Sequence, residues 1–228
     1  MIKHISFDLW LTLIKSHPEF KMKRAEYFCK EFNPLNFSSN EVLEIVKSTD
    51  KTCDRLNEIF GSKVPAVFMY HRILRKLGND SHIISKELTE EIKSVIDKLF
   101  LELQPRFLNP TIIPMLTTLK NKGYTLNISS NTGFIECDIM VATLKNMKIY
   151  EYFDFCIFSD EISASKPSDS FFQHVYQKSN LEKKEILHIG DNYKADYDGA
   201  IKFGFKALHI TNSQYNINDI TNYLQEND

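Results

Sequence analysis

The 228 residues are 43% hydrophobic and 25% charged, enough to bury a core in one domain with an insertion or in two small domains. A net charge of −2 and a pI near 6.4 leave no basic footprint for nucleic acid or a membrane surface, so a small ligand is the expected partner. No segment approaches the roughly 18 uncharged residues of a membrane span, and Met1-Ile2-Lys3-His4 enters a strand without a leader-like stretch, so a cytoplasmic location is expected. Cys29, Cys53, Cys137 and Cys156 lie far apart without ligand spacing, which reads as reduced thiols rather than a zinc site.

Residues 3 to 9 mix β-branched and aromatic side chains and predict a short buried strand with Asp8 near its end. From about Pro18 to Leu103 the pattern is helical, about four helices. Ser38 and Glu41 form a capping box ahead of Val42, Ile45, Val46, Cys53 and Leu56. A second stripe runs Ala66, Tyr70, Ile73, Leu77 and stops at Gly78; a third runs Leu88, Ile92, Val95, Leu99, Leu103. Each stripe is one face wide, as in a mutual helical core.

After Gln104-Pro105 helices and strands alternate. Helices are expected over 110–122, 134–147, 168–178, 195–203 and 216–225, and strands over 124–129, 154–158, 185–190 and 206–210. Pro114 is tolerable only in the first turn of its helix, which Gly123 ends. Such alternation predicts an α/β fold: a Rossmann-like parallel sheet with helices on both faces, its first strand supplied by the N-terminus, plus an inserted helical bundle. Ligands of such sheets bind beyond the C-terminal strand ends, and Asp8, Ser130 and Asp191 each fall at or just after one.

Phosphoryl transfer needs a nucleophile, donors for the phosphoryl oxygens and a cation to offset their charge. Asp8 suits the first role, and Ser130 with Asn131 the second. Lys166, held in Ser165-Lys166-Pro167, can neutralise carboxylate and phosphoryl group alike. Asp191, in Gly190-Asp191-Asn192-Tyr193-Lys194-Ala195-Asp196, can ligate magnesium, a hard cation that prefers oxygen. Singly these are ordinary turn, cap or surface residues, and Asp196 alone would read as a helix cap or an exposed carboxylate. Their order along the chain is what carries weight.

That order resembles the haloacid dehalogenase superfamily of hydrolases. The residues concerned are Phe7 through Leu13, Ile128-Ser129-Ser130-Asn131, Ser165-Lys166-Pro167 and Ile189 through Asp196, with Gly199-Ala200 and Gly204 after them. The helical segment resembles the cap that the first subclass inserts. The resemblance implies a catalytic core of residues 1–14 and 106–228 with a cap of 15–105. It implies Asp8 as nucleophile and Mg2+ ligand, the Trp10 backbone carbonyl and Asp191 as further ligands, Thr12 supporting the loop, and Asp196 orienting Lys166 or metal-bound water. Ser130, Asn131 and Lys166 would hold the phosphoryl group of a small phosphorylated metabolite.

The side chain at position 10 departs from the pattern. Phosphatases of this superfamily have an aspartate there to protonate the leaving group, and the Trp10 indole N–H is a donor without useful acidity. The expectation is a Mg2+-dependent phosphatase acting through an aspartyl phosphate, slowed about a hundred- to ten-thousand-fold by the loss of general acid–base catalysis. The alternatives are a 2-haloacid dehalogenase, against which the acidic Asp191 and Asp196 count, and a catalytically weak phosphate-binding regulatory protein. A phosphonate-cleaving activity would need a Schiff-base lysine, and Lys15, Lys21 and Lys23 read as solvated. Lys21 and Arg24 are expected on the wet face of the first cap helix beside His17 and Phe20. His71, His82, His174, His188 and His209 have no ligand spacing, and His188 reads as a satisfied core residue.

Overall fold

The computed structural model describes residues 1–210, 220 and 222–224; most of the helix expected over 216–225 lies outside the described residues. From the N-terminus run β1 (His4–Phe7) and β2 (Ile14–Lys15), then four helices, α1 (Phe20–Glu31), α2 (Ser39–Phe60), α3 (Ala66–Lys76) and α4 (Lys86–Glu102). Next come β3 (Arg106–Phe107), α5 (Ile112–Asn121), β4 (Thr125–Ser130), α6 (Cys137–Asn146), β5 (Phe155–Phe158), α7 (Ser159–Ile162) and α8 (Asp169–Ser179). The chain continues through β6 (Ile186–Gly190), a π-helical turn (Tyr193–Asp198), α9 (Gly199–Phe203) and β7 (Lys206–His209). The expected order is present, with boundaries moved by one to three residues. The helix expected over 195–203 is instead a π turn running into a short α-helix.

The main sheet has the order β5-β4-β1-β6-β7, and every pair in it is parallel. β1 is central, His4 lying in register with Thr125 on one side and Ile186 on the other. All four residues of β1 and all five of β6 are buried, as a sheet covered on both faces requires. Successive side chains alternate between faces, so Ile5 and Phe7 pack on one side while His4 and Ser6 point to the other. That second face is polar yet fully buried, through His4, Ser6, Asn127, Ser129 and His188.

The helical segment leaves and re-enters through β2 and β3, which pair antiparallel with Ile14 opposite Phe107 and Lys15 opposite Arg106. α2 starts at the Ser38–Glu41 capping box and ends where Gly61 adopts φ 64°, the left-handed cap that a side chain resists. Ala66, Tyr70, Ile73 and Leu77 are all buried, as their spacing predicts. The stripe on α4 is rotated from the expected one. Thr89, Ile92, Ile96, Asp97 and Phe100 face inward while Leu88, Val95 and Leu99 are half-buried, because Phe100 is drawn toward Trp10 and Phe20.

Arg24 corrects the wet-face expectation. It is 3% exposed, its Nη2 lies 2.6 Å from Asp50 Oδ2, and its guanidinium sits 4.4 Å from the Phe134 ring centroid. A planar cation can be buried this way because its faces stack on rings while its edge pairs with a carboxylate. Lys21 is exposed, as expected. Further links join the helical segment to the sheet's strand ends: Glu58 accepts from Asn192 at 2.9 Å, Lys63 pairs with Glu136 at 3.2 Å, and the Gly61 carbonyl accepts from Ser165 N at 2.9 Å.

Candidate active site

Asp8 and Asp191 follow β1 and β6 directly and Ser130 ends β4, three adjacent strands, so the parallel order brings them to one edge. The Asp8 N–H donates to the Ile189 carbonyl at 2.8 Å and fixes the chain where it leaves the sheet. A tight turn follows, in which the Leu13 and Ile14 N–H groups both donate to the Leu9 carbonyl and Leu11 takes φ 60°. That turn brings Thr12 back beneath Asp8, and its hydroxyl donates to Asp8 Oδ2 at 3.0 Å, the loop support expected of it.

Lys166 reaches the same carboxylate from across the sheet and is 1% exposed. Its ammonium donates to Asp8 Oδ1 at 2.7 Å and to the Ser129 carbonyl at 2.6 Å, and pairs with Asp196 Oδ1 at 2.7 Å. Three acceptors match three N–H bonds. The backbone of Lys166 is clamped as well, since its N–H donates to Asn131 Oδ1 at 2.8 Å and its carbonyl accepts from Asn131 Nδ2 at 3.0 Å. Both polar atoms of the Asn131 side chain therefore hold the lysine loop. The Lys166–Pro167 peptide bond is cis. Ser130 is buried, with its hydroxyl donating to the Asn131 carbonyl at 3.2 Å.

Asp196 is neither helix cap nor exposed carboxylate. It is 2% exposed, and the N-cap of its turn is Asn192, whose side chain accepts from Lys194 N and Ala195 N at 3.0 Å each. The Asp196 carboxylate folds back over the end of β6, where Oδ2 accepts from Asn192 N at 3.0 Å and Oδ1 lies 3.2 Å from His188 Nε2. A Cβ at position 190 would collide with that carboxylate, so only glycine lets it lie there.

One oxygen from each of Asp8, Asp191 and Asp196 lies within 4.8 Å of the others. Burial raises the pKa of Asp8 well above the ordinary carboxylate range, against the pull of Lys166, and pushes Asp191 up to about 6. Burial acts the same way on Asp196, yet Lys166 and His188 overcome it and hold that group well below its usual value. Three crowded carboxylates, two buried and paired with one ammonium and the third half-buried beside them, concentrate negative charge with a single cation to offset it. This donor set fits a hard divalent cation.

Trp10, the one tryptophan of the chain, is half-buried and turned toward the helical segment, with its ring 6.1 Å from Phe100 at 64°. Sequence reasoning placed Asp8, Thr12, Ser130, Asn131, Lys166, Asp191 and Asp196 along the chain, and all of them meet at this edge. It missed the Ser129 carbonyl, which carries no side-chain signal, and the link from His188 to Asp196. The available signal for that link was the alternation of polar residues at 4 and 6 and at 127 and 129, unusual in strands buried on both faces.

A parallel sheet of this strand order, carrying a buried lysine and three carboxylates beyond its central strand ends, defines an α/β enzyme of the Rossmann-like class. The chain belongs to the haloacid dehalogenase-like hydrolase family, whose model matches residues 5–210. It is similar to the Rhythmically expressed gene 2 protein of Drosophila melanogaster, 39% identical over 75 residues, which are 32% of this chain and 29% of that protein. It is also 25% identical over 213 residues to the glyceraldehyde 3-phosphate phosphatase of Pyrococcus abyssi, spanning 91% of this chain and 81% of that one. Matches to the relatives of higher significance are shorter; for the mouse haloacid dehalogenase-like hydrolase domain-containing protein 3 the matched part is 47% of its length. Among solved structures, the magnesium-bound HAD-hydrolase YfnB from Bacillus subtilis superposes with a TM-score of 0.69 at 14% identity, covering 98% of each chain. At that identity the likeness speaks for the fold alone.

Proposed function

We propose that the protein is a magnesium-dependent phosphatase that hydrolyses a small phosphorylated metabolite through an aspartyl-phosphate intermediate, slowly because Trp10 replaces the general acid. The observation that carries the reading is the cluster of buried Asp8 and Asp196, both paired with Lys166, with half-buried Asp191 beside them. The similarity to a phosphatase over 91% of the chain supports it. In this reading residues 1–14 and 106–228 are the catalytic core, and residues 15–105 are a cap over the strand ends.

Asp8 attacks phosphorus with one carboxylate oxygen while Thr12 holds the other. Ser130 and backbone N–H groups after β4 donate to the phosphoryl oxygens, Lys166 offsets their charge, and Asn131 holds the loop that delivers Lys166. Magnesium, held by Asp8, Asp191 and the Trp10 backbone carbonyl, would neutralise the carboxylates and the phosphoryl charge. Asp196 keeps Lys166 protonated and in place. Water then attacks phosphorus of the aspartyl phosphate, releasing inorganic phosphate and restoring the Asp8 carboxylate. Position 10 neither protonates the leaving alkoxide nor activates that water, so turnover is slow, and aryl and acyl phosphates, whose leaving groups need least help, should turn over fastest.

The test is a screen of phosphorylated metabolites, aryl phosphates and acyl phosphates with and without Mg2+, with Asp8→Asn as control and Trp10→Asp beside the parent. We expect Mg2+-dependent release of phosphate that Asp8→Asn abolishes and Trp10→Asp raises by about a hundredfold or more. Absence of Mg2+-dependent turnover in both the parent and Trp10→Asp would refute the reading. Metal-independent chloride release from a 2-haloacid would replace it with the dehalogenase activity, and phosphate binding without turnover would replace it with a regulatory role.

A further inference from the structure

The buried polar face of the sheet forms a continuous hydrogen-bonded line from solvent to the lysine site. Thr125, exposed at the N-terminal end of β4, places its hydroxyl 2.8 Å from His4 Nδ1, and His4 Nε2 lies 2.8 Å from Asn127 Oδ1. Asn127 Nδ2 is 2.9 Å from Ser129 Oγ, Ser129 Oγ is 2.8 Å from Ser6 Oγ, and Ser6 Oγ is 3.0 Å from His188 Nδ1. His188 Nε2 then meets Asp196 Oδ1 at 3.2 Å. Every member between Thr125 and Asp196 is 0% exposed.

Two fixed points set the direction of each bond. Asn127 Nδ2 also lies 2.8 Å from the Ile128 carbonyl oxygen, which only accepts, so that atom is the amide nitrogen and Oδ1 faces His4. His4 must then carry a proton on Nε2, and in the neutral ring its Nδ1 accepts from Thr125, whose hydroxyl lies 2.8 Å from it and a longer 3.4 Å from the Lys3 carbonyl. At the other end the Asp196 carboxylate only accepts, so His188 carries its proton on Nε2 and its Nδ1 accepts from Ser6. Ser6 has given its hydrogen to His188 and so accepts from Ser129, which in turn accepts from Asn127. The two ends were assigned independently and agree: all six bonds donate toward Asp196. A doubly protonated His188 would reverse Ser6 and leave the Ser129 hydrogen without an acceptor among the described residues. Burial lowers the pKa of both histidines, in keeping with neutral rings.

We propose that this one-way line is a positioning device for the proposed reaction, in which Ser6, Asn127, Ser129 and His188 polarise one another toward Asp196 and so fix the carboxylate that holds Lys166 against Asp8. Bonds aligned in one direction reinforce one another inside a low-dielectric sheet. Asp196 touches Lys166 through its carboxylate, and Ser129 does so through its backbone carbonyl, not through the hydroxyl that belongs to the line; the side chains of Ser6, Asn127, Ser129 and His188 act only through Asp196. The catalytic role of the line rests on the phosphatase reading; its direction does not.

Two measurements test it on the full chain. In 15N-labelled protein, imidazole NMR with His188→Gln and His4→Gln as assignment controls should find both rings neutral and protonated at Nε2. Asn127→Leu should shift the His188 Nε2–H resonance upfield although two hydroxyls separate the two side chains; if Asn127→Leu does not fold, Thr125→Val at the exposed end makes the same comparison. A purely structural role for Asn127 leaves that resonance in place, so an unmoved signal overturns the proposal, as does an Nδ1–H or doubly protonated His188. The second measurement is Mg2+-dependent turnover of Ser6→Ala, expected to lose about tenfold in kcat with KM unchanged, the size of one hydrogen bond. An unchanged kcat removes the positioning role. Absence of turnover in the parent and in Trp10→Asp removes the phosphatase reading and with it the catalytic role, while the NMR result still decides the direction of the line.

Discussion

Replacing Lys166 by methionine takes the one ammonium from between two buried carboxylates. Asp8 and Asp196 present oxygens within 4.8 Å of each other, and at an effective dielectric near 20 two unit charges at that distance repel by about 3.5 kcal/mol. Removing one partner of a buried ion pair independently gives about 3 to 5 kcal/mol of destabilisation. For a chain of this size that is a fall in Tm of about 10 °C. The deficit should depend on pH in a stated direction. Burial already raises the folded pKa of Asp8 above its unfolded value, and loss of Lys166 raises it further. A raised carboxylate binds its proton more tightly in the folded state, so its stabilising contribution is present at low pH and is lost as pH rises through the folded pKa. Urea unfolding followed by circular dichroism, in chelator to exclude metal, should show a larger deficit at about pH 8 than at about pH 5.5. A deficit under about 1 kcal/mol at the higher pH, or one independent of pH, would refute the electrostatic reasoning.

Gly190→Ala forces a methyl group into the Asp196 carboxylate and should cost about 1 to 3 kcal/mol in urea unfolding, with loss of whatever turnover the parent shows; a neutral substitution would mean that the carboxylate does not lie over β6. Arg24→Met strands Asp50 and should cost about 3 kcal/mol, most of it recovered by adding Asp50→Leu, and failure of the double variant to recover would locate the loss in the Phe134 contact instead. Asp54 is exposed on α2, yet partial desolvation of its carboxylate and its neighbours Asp50 and Glu58 push it up to about 6, so it weakens the fold as pH rises from its unfolded value through that point. Asp54→Asn should therefore raise Tm above about pH 6 and not near pH 4, by an amount that solvent access screens to about 1 kcal/mol or less.

Periodicity made the elements legible because helix and strand spacing are local properties. The stripe Ala66, Tyr70, Ile73, Leu77 and the Ser38–Glu41 box stand as they read. The same reasoning rotated α4 slightly wrongly, since Leu88 and Val95 fit the period as well as Thr89 and Ile96, and the choice belonged to Phe100 and its aromatic partners Trp10 and Phe20. Arg24 was misjudged for a similar reason. Spacing puts a charge on a helix face, but whether that face is wet depends on Asp50 and on Phe134, 110 positions later in the chain by their numbers.

The sequence by itself determined the order of strands and helices and the polar residues that end the strands, because both follow from side-chain pattern within a few residues. Tertiary structure decided the rest of the site. Lys166 and Asp8, 158 residues apart, become a pair only when β1 is flanked by β4 and β6. The same packing turned Asp196 from a possible cap into an anchor for Lys166, committed Asn131 to the lysine loop, and drew Trp10 toward Phe100. Parallel strands bring distant residues into register, and no local period encodes which side chains will then face one another.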